Sequence, residues 1–386
     1  MAKLARAALI QCKTESSYGV DPTIAGTDAL LCRSLTVTPL ESDTVSRDLI
    51  RSYLGNSEQL LALTRVSVQI EVEIAGSGTG GTASRIDSLL KACGMAATTI
   101  GSAVTGSSQA GSAGSITLAS GANATDDYYN GMQITITSGT GNAHKGLIVD
   151  YVGSTKVATV KPITATFVPG ASSGYSIAAN VGYVPVSSSF GSVAIQYNND
   201  GIEHKILGAR GSYSLSLAVG EMPTISFDLV GLYTEPTDTT ADTATYSAQA
   251  TPVLFKQGNT VASSFCGFDA AAIQSFSVDM ANEVTARELV GTDKSVILTN
   301  RAPSGEAVIE TPTIAAKNFF SQATSDTLGL VVLQHGTTAG NIVSILCPTV
   351  DITNPSYSES DGISMLNIPF TPVPSAGNDE MKLTFS

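Results

Sequence analysis

The chain has 386 residues, of which 14% are charged and 36 are glycine, and it carries a formal net charge of −13. This acidic balance, without a cluster of lysine and arginine, excludes tight binding of a nucleic acid, because phosphate contact requires clustered cations. The apolar runs are far shorter than a bilayer-spanning segment, and the five scattered cysteines match neither a disulfide framework nor a metal-binding motif. This length and composition are typical of an all-β protein with two or three domains.

The first 34 residues have the pattern of an extended arm, with turn residues such as Gly19 and Pro22. Such an arm either reaches a neighbouring subunit or lies on its own domain. The apolar stretch 7–10 is too short for a signal peptide, which predicts a protein that stays in a cytoplasm until it joins something larger.

A long polar excursion, residues 39–62, follows a strand that begins at Leu35. Connections of this length in a compact domain are usually functional or disordered. Its charged residues indicate an intersubunit contact, and a solvated loop is the alternative. The candidate contact residues are Asp43, Arg47, Asp48, Arg51 and Glu58.

Residues 64–94 give the clearest local pattern, a strand followed by a glycine-rich turn and a short helix. Apolar residues alternate with polar ones from Val66 to Ile74, which predicts a strand with one apolar face and one wet face that carries Glu71 and Glu73. The spacing of the apolar residues from Ile86 to Cys93 predicts an amphipathic helix, with Ser84 and Asp87 as a capping box.

The turn between them contains Gly76, Gly78 and Gly81, which match the G-x-G-x-x-G pattern of dinucleotide-binding proteins. The preceding strand of such a site is buried on both faces, whereas this one alternates. The acidic residue expected about 20 positions later is also missing. We therefore interpret the glycines as a flexible connection and predict no cofactor.

The composition changes at residues 101–114, a Gly/Ser/Ala-rich stretch that predicts a flexible linker. Short strands separated by turn signals follow and indicate a small inserted β module over residues 107–180. The main strand pattern resumes at 181, with a strong hairpin signal at Asp200-Gly201. A threonine-rich stretch, 236–252, predicts a linker between domains.

Residues 253–386 repeat features of the first part at an offset of about 230 residues. The helical pattern returns around Phe319, and the segment that ends at Arg287 resembles the one that ends at Arg47, so Arg287 joins the contact candidates. We interpret the chain as two diverged copies of one domain, 1–106 with 181–235 and 253–386.

Residues for catalysis or metal binding do not form a recognisable pattern. The three histidines, His144, His204 and His335, lie at no metal-ligand spacing from one another or from a cysteine. Nucleophile-elbow and phosphate-loop motifs are missing. Asp126, Asp127 and Asp150 could supply oxygens to calcium, but loop solvation explains them more simply. The sequence thus predicts no enzyme, with no catalytic residue and no metal.

Five segments in a characteristic order carry a resemblance to a known family: KTESSYGVDPT, VEIAGSGTGGTASRIDSLLKACG, DGIEHKILGARGSYSL, PTISFDLVGL and IPFTPVPSAGNDEMKLTFS. Together they resemble the major tail tube proteins of long-tailed, siphovirus-like bacteriophages. The resemblance covers nearly the whole chain outside the module at 107–180, which is similar to small β modules that decorate phage structural proteins.

This resemblance implies a mainly β fold with two tandem tail-tube β-sandwich or barrel domains, each with a short flanking helix. It also implies a virion protein assembled in the host cytoplasm into stacked rings, whose partners are the tail terminator, tape measure and distal tail proteins. Two copies per chain predict a homotrimeric ring, with a homohexamer as the alternative.

Double-stranded DNA would pass through the ring without specific binding, and no membrane is involved. We expect acidic residues on the polar strand faces to line the channel, with solvation of an outer sheet face as the alternative. These residues are Glu71, Glu73, Asp228, Asp279 and Glu310.

A different class of function, a carbohydrate-binding or adhesive β-sandwich protein on the virion or cell surface, is also open. The inserted module and its Tyr128-Tyr129 pair favour it. The chain lacks the signal peptide or paired cysteines expected of a secreted adhesin.

Overall fold

The computed structural model describes residues 7–269, 271–291 and 293–386. Its two helices are α1 (Asp87–Ala92) and α2 (Phe319–Thr324), and a 3-10 turn spans Gly26–Asp28. In the first part of the chain the strands are β1 (Ala8–Thr14), β2 (Ser34–Ser46), β3 (Gln59–Glu73), β4 (Met95–Ile100), β5 (Val104–Ser107), β6 (Ala110–Ser112), β7 (Ser115–Thr117), β8 (Gln133–Ser138), β9 (Lys145–Val152), β10 (Val157–Pro162), β11 (Gly174–Ile177), β12 (Asn180–Pro185), β13 (Val193–Asn199), β14 (Ile202–Ala218), β15 (Thr224–Leu232) and β16 (Thr237–Asp238). In the second part they are β17 (Thr260–Phe265), β18 (Ile273–Asp279), β19 (Asn282–Arg287), β20 (Ser295–Arg301), β21 (Ser304–Glu310), β22 (Gly329–His335), β23 (Val343–Ile352), β24 (Ser356–Ser360), β25 (Ile363–Pro372) and β26 (Lys382–Phe385).

The fold is mainly β, as predicted, and one antiparallel sheet runs through both parts of the chain. Its strands pair in the order β2-β3-β15-β14-β18-β21-β25-β24. The first four belong to residues 34–232 and the last four to residues 273–372. The two groups meet where the end of β14 pairs with β18, with Leu215 opposite Val278. We call this eight-stranded assembly the long sheet.

A second layer covers the apolar face of the long sheet. In it, β17, β22, β23, β26, β12 and β4 pair in that order, while β1 and β13 continue from the first half of β14. The core lies between the layers, and Phe276 and Phe370 stack there with ring centroids 5.8 Å apart. Burial of such aromatic and β-branched side chains stabilises the two-layer arrangement.

The helices are shorter than the apolar spacing predicts. The buried residues Leu89 and Leu90 anchor α1 against the core, but the expected capping box does not form. The Ser84 hydroxyl instead donates to the Ala75 carbonyl. In α2 the Asn318 side chain accepts from the Ser321 amide and caps the helix.

The inserted module is a separate seven-stranded sheet with the order β5-β11-β8-β9-β10-β7-β6 and its own core. Strands β5 and β6 lie within residues 101–114, so the prediction of a flexible linker there is wrong. The module docks on the second part of the chain, because Leu147 and Val149 of β9 pack against Val332 and Leu346.

Two segments with loop-like sequences lie along the first part of the chain. In the N-terminal arm, β1 pairs with β13, so its described residues lie on their own chain; residues 1–6 of the arm fall outside the described residues. The predicted linker at 236–252 is extended and held by backbone hydrogen bonds, among them Thr245 N to Gly26 O (2.8 Å) and Ala250 N to Gly76 O (2.9 Å). We call it the strap.

Candidate functional site: the polar face, free edges and hairpins of the long sheet

The face of the long sheet that points away from the core is lined by short hydroxyl side chains and acids. The strand register aligns Ser34, Glu71, Ser226, Ser214, Asp279 and Ser304 in one row across six strands. The next row contains Glu73, Thr224, Ser216, Ser277 and Glu306. Because side chains alternate between the faces of a strand, every second residue contributes to this surface.

All five acids that the sequence nominated lie on this polar face. Asp228 pairs with Gln69 in the third row, and Glu310 ends β21 beside Met365. The structure adds Glu306, which sequence reasoning missed although its spacing of four from Glu310 puts both on one face of a strand. The sequence does not reveal this strand, because residues 300–305 interrupt the alternation of apolar and polar residues.

The electrostatic character of the face is negative. One ion pair at its border joins Arg33 Nη1 to Glu71 Oε1 at 3.8 Å, and both side chains are partly exposed, so its stabilising effect is small. Serine and threonine neighbours give the acids a polar, uncharged setting. The face can therefore repel anions without offering cations for tight contact.

The two ends of the long sheet are unpaired strand edges within the described part of the chain. β2 pairs with β3 alone and β24 pairs with β25 alone. On β24, Tyr357 is 61% exposed and its ring lies 5.4 Å from that of Phe320. Exposed edges of this kind are templates for pairing with another strand.

The hairpin formed by β2 and β3 extends beyond the sheet, and we call it the first hairpin. The structure brings Arg47 and Glu58 together at 3.2 Å, and Asp43 pairs with Arg65 at 3.4 Å. Asp48 accepts from the Ser46 hydroxyl. The Arg51 guanidinium lies 5.9 Å above the Tyr53 ring. These candidate contact residues thus cluster on one exposed projection, whereas Arg287 lies elsewhere, at the end of β19.

Exposed apolar side chains at the tip of the first hairpin are the residues that sequence reasoning missed. Ile50 and Leu54 are fully exposed, and Leu49 and Tyr53 are more than half exposed. In the sequence these apolar residues stand among charged ones, without the spacing of a strand or a helix that would single them out. Exposed apolar groups gathered on a projection usually mark a protein contact.

The hairpin of β19 and β20, which we call the second hairpin, packs against the first part of the chain. Val296 is fully buried there. Its amide donates to the Tyr18 hydroxyl (2.6 Å), and its carbonyl accepts from Arg210 (2.8 Å). The Arg210 guanidinium also stacks on the Tyr18 ring at 4.7 Å. Val45 and Leu60, opposite each other on the first hairpin, have no such cover and are 56% and 48% exposed.

The glycine-rich turn after β3 is used for close packing. Gly76 N donates to the Asn341 side chain and Gly78 N to the Gly340 carbonyl, both at 2.9 Å. A Cβ atom on Gly340, whose φ is +84°, would lie 2.6 Å from the Gly78 carbonyl oxygen. Only glycine permits this backbone-to-backbone contact, so the turn joins the two parts of the chain as a connection.

Two of the three histidines have hydrogen-bond partners on the backbone. His144 accepts from the Val168 amide, and His335 is buried, which lowers its pKa, beside the Val253 carbonyl. Within the described ranges, acids, cysteines and histidines form no group of three suited to a metal ion. Neither helix of the described residues is long and apolar enough to cross a membrane.

Comparison with known proteins gives one finding that covers nearly the whole chain. The family model described as phage tail tube protein matches residues 5–372. A search of curated proteins finds no match. The mainly β fold and the extent of this match agree with the resemblance drawn from the sequence, and the chain belongs to the phage tail tube protein family.

Proposed function

We propose that three copies of this chain close head to tail into a ring, and that stacked rings form the channel through which DNA leaves the virion. One observation carries this proposal: the long sheet consists of two four-stranded groups with the same order, and it ends in two free edges. The in-chain junction of β14 with β18 would then be the template for the junction between chains.

The two groups correspond strand by strand. In each, two hairpins lie side by side, so that β2 and β3 match β18 and β21, while β14 and β15 match β24 and β25. This supports two copies of one domain, residues 1–106 with 181–235 and residues 253–386, with the module at 107–180 inserted in the first. The strap joins them.

The correspondence also predicts the register between chains. Leu215 pairs with Ile225 at the centre of the first copy, and Tyr357 pairs with Leu366 at the centre of the second. Tyr357 is therefore the counterpart of Leu215.

The same strand pairings identify the residue that corresponds to Val278, the partner of Leu215. Ile225 pairs with Val72 and Leu366 with Ile309, so these two residues correspond. Val37 pairs with the residue four positions before Val72, and Val278 with the residue four positions before Ile309. Val37 is thus the counterpart of Val278.

Because Leu215 lies opposite Val278 within the chain, Tyr357 should lie opposite Val37 of the next chain. One residue further along each strand, Ser358 should lie opposite Thr36. Ring closure would pair both free edges, which removes their tendency to aggregate.

The size of the ring follows from the strand count. Three chains would contribute about 24 strands, and barrels well below that size already enclose a water-filled channel. The polar face, with Glu71, Glu73, Asp228, Asp279, Glu306 and Glu310, would line the lumen. Its negative charge would repel DNA phosphates at short range, since salt screens charges beyond about 8 Å.

The stacking of rings would use the two ends of the long sheet. The first and second hairpins project at one end, and the short turns 219–223 and 361–362 lie at the other. The apolar tip of the first hairpin and its charged neighbours Asp43, Arg47, Asp48, Arg51 and Glu58 are then the contact with the next ring. Arg287 would contribute from the second hairpin.

A double variant, Thr36→Cys with Ser358→Cys, tests the closure and its register. Opposite residues in an antiparallel pair have Cα atoms about 4.5–5.5 Å apart, a distance that a disulfide spans. Oxidised rings should give covalent dimers and closed trimers on non-reducing gels, whereas each single variant should give none. Absence of cross-links, or a ladder that continues to six chains, would overturn the three-chain ring.

The role of the lumen is tested separately. Phage with Glu71→Lys, Asp228→Lys and Glu306→Lys should assemble tubes but eject DNA more slowly, because lysines would hold phosphates in passing. Asp326→Lys, at an exposed position away from the polar face, controls for a lysine substitution outside the lumen, and each single lumen variant is compared with it. Unchanged ejection kinetics in the triple variant would count against an acidic lumen.

A further inference from the structure

Lys382 of β26 lies under the inserted module. Leu383 and Phe385 of the same strand belong to the core, so the alternation of side chains places Lys382 on the opposite face, where it is only 8% exposed. The module covers this face with the backbone of Gly131: a Cβ atom added there would lie 3.6 Å from both Cγ and Cδ of Lys382. The ammonium group of the lysine donates to the Tyr128 carbonyl at 3.2 Å. A turn of the module therefore lies directly on the lysine side chain.

This turn contains a carboxamide and a carboxyl group in contact. The backbone amide of Asn130 donates to the Asp127 carbonyl at 3.1 Å, and its side-chain nitrogen donates to the Asp127 carboxylate at 2.7 Å. Asn130 is 5% exposed, and its side-chain oxygen has no hydrogen-bond partner in the described part of the chain. Both residues and Lys382 line one groove between the module and the second part of the chain. An amine, a carboxamide and a carboxylic acid thus meet at one place.

The surroundings favour the neutral forms of the amine and of the acid. Burial lowers the pKa of Lys382 to about 8. Partial burial raises the pKa of Asp127 more than its bond to Asn130 lowers it. Three further carboxylates add to this rise by repulsion: Asp150, Asp379 and Asp126. A neutral amine is a nucleophile, and a neutral carboxyl group can donate to the amide oxygen that lacks a partner.

We propose that Lys382 and Asn130 form an isopeptide bond within the chain. The neutral amine attacks the side-chain carbon, so that a bond forms between Lys382 Nζ and Asn130 Cγ. Asp127 gives its proton to the leaving nitrogen and takes one from the attacking amine. The bond from Cγ to Nδ2 breaks and ammonia leaves. Asp127 ends protonated as it began, and no oxidant is needed.

The backbone of the turn restrains the competing reaction. In an Asn-Gly sequence the glycine amide nitrogen can attack the same carbon and form a succinimide. Here the Gly131 amide donates to the Ile148 carbonyl at 2.7 Å, which holds it within the hydrogen bonds of the module. The Lys382 amine, on its flexible four-carbon stem, is the nucleophile that can reach Asn130.

The reaction needs a deprotonated amine and a protonated carboxyl group, the reverse of their ordinary charges. Asp127 is itself exposed and can exchange protons with water. The reactive state is a small fraction between the two pKa values, and it declines above the Lys382 pKa of about 8, where Asp127 is ionised. The bond should therefore form slowly and near neutral pH, and newly folded chain, or chain kept above pH 8, retains the free amine.

The bond would fix the docked position of the module. It would join the turn of the module to β26, which pairs with β12 of the first part and β23 of the second. The apolar contact of Leu147 and Val149 with β22 and β23 would then have a covalent partner. The cross-link lies within one chain and is independent of the proposed ring.

Peptide mapping of the full chain tests the bond. After incubation at pH 7, trypsin should release residues 92–145 joined to residues 318–386, because a linked Lys382 is not cleaved. The mass of this product should equal the sum of the two peptides less one ammonia. The linked fraction should grow with time, and at least about tenfold more slowly at pH 10, since the reactive state declines above the Lys382 pKa.

Three variants separate the chemistry from the fold. Asp127→Asn keeps the size of the side chain but removes its acid, and should slow linkage at least about 100-fold. Lys382→Arg removes the nucleophile and should give no linked peptide. Lys156→Arg is the matched control, because Lys156 also donates to a carbonyl of the module, that of Asn123 at 3.2 Å, and it should link like the parent. Circular dichroism spectra of all three should match that of the parent.

Four results would overturn the inference. The first is the absence of a linked peptide after incubation at pH 7, and the second is a linked peptide that lacks one water instead of one ammonia. The third is loss of ammonia within residues 92–145 alone, which indicates a succinimide. The fourth is an equal rate of linkage in Asp127→Asn and the parent.

Discussion

Replacing Val45 and Leu60 together by serine should prevent rings from closing at normal protein concentrations while the single chain stays folded. The two residues are cross-strand neighbours on the first hairpin, and each has about half of its side chain exposed. In the proposed ring they occupy the place that Val296 and its neighbours occupy on the second hairpin. Val296 is completely buried against the first part of the chain.

The free energy that each junction loses follows from the apolar area of Val45 and Leu60 that is still exposed in the single chain. Full burial of a valine or leucine side chain contributes about 1.5–3 kcal/mol. With 56% of Val45 and 48% of Leu60 exposed, closure should gain roughly half of that for each, or about 2 kcal/mol per junction. Since 1.4 kcal/mol corresponds to a factor of ten, each junction should weaken about 30-fold.

Sedimentation and electron microscopy across a dilution series give the concentration at which tubes appear. The double serine variant should require a much higher concentration than the parent, whereas Val152→Ser, at an exposed position of the module, should not. The unassembled double variant and the unassembled parent should unfold at the same temperature. If the variant forms tubes at the parental concentration, the first hairpin does not contribute to closure and the reasoning from the second hairpin fails.

Three further predictions concern the folded chain. Gly340→Ala should lose about 1–3 kcal/mol more stability in urea unfolding than Gly362→Ala, because both glycines have positive φ but only the first faces backbone atoms within 4 Å. Arg301→Met should cost about 3–5 kcal/mol by leaving the buried Glu380 carboxylate without its ion pair, and adding Glu380→Met should restore most of that loss. Burial depresses the pKa of Lys382 from 10.5 to about 8, so the unfolded chain binds the proton first as the pH falls. As the pH is raised from 8 to 10.5, the free energy of unfolding should therefore increase by up to about 1.4 kcal/mol per pH unit relative to that of Lys382→Met. Parallel curves of the two proteins against pH would contradict this.

The half-buried strands were predictable because their signal is local. In β3, Val66, Val68, Ile70 and Val72 are all buried, as alternation predicts. One buried face selects one register, because a shift by one residue would expose the whole apolar set. The same property revealed the polar face and its nominated acids without any knowledge of strand order.

Other features depend on partners far away in the chain. β14 pairs with β15 in a local hairpin, but its other neighbour, β18, is far away in the sequence: Leu215 pairs with Val278, and no local pattern encodes that choice. Strands β5 and β6 consist of small residues whose backbone pairs with β11 and β7, so composition alone suggested a flexible linker. Gly76 is required by its close contact with the turn at Gly340, a residue far away in the sequence, so its function is not encoded locally.

Carrying two copies in one chain changes the physics of ring assembly in the proposed arrangement. The β14–β18 junction forms within a chain, where the strap holds the partners at high effective concentration, so only three junctions per ring depend on protein concentration. Those three depend on edges and hairpins that differ from their in-chain counterparts. The second hairpin is held by Tyr18 and Arg210, which stack on each other and hydrogen-bond to Val296. The first hairpin differs from it by a longer tip with exposed apolar side chains. Because the module is inserted in one copy alone, each ring would display three modules, and stacking would follow threefold rather than sixfold symmetry.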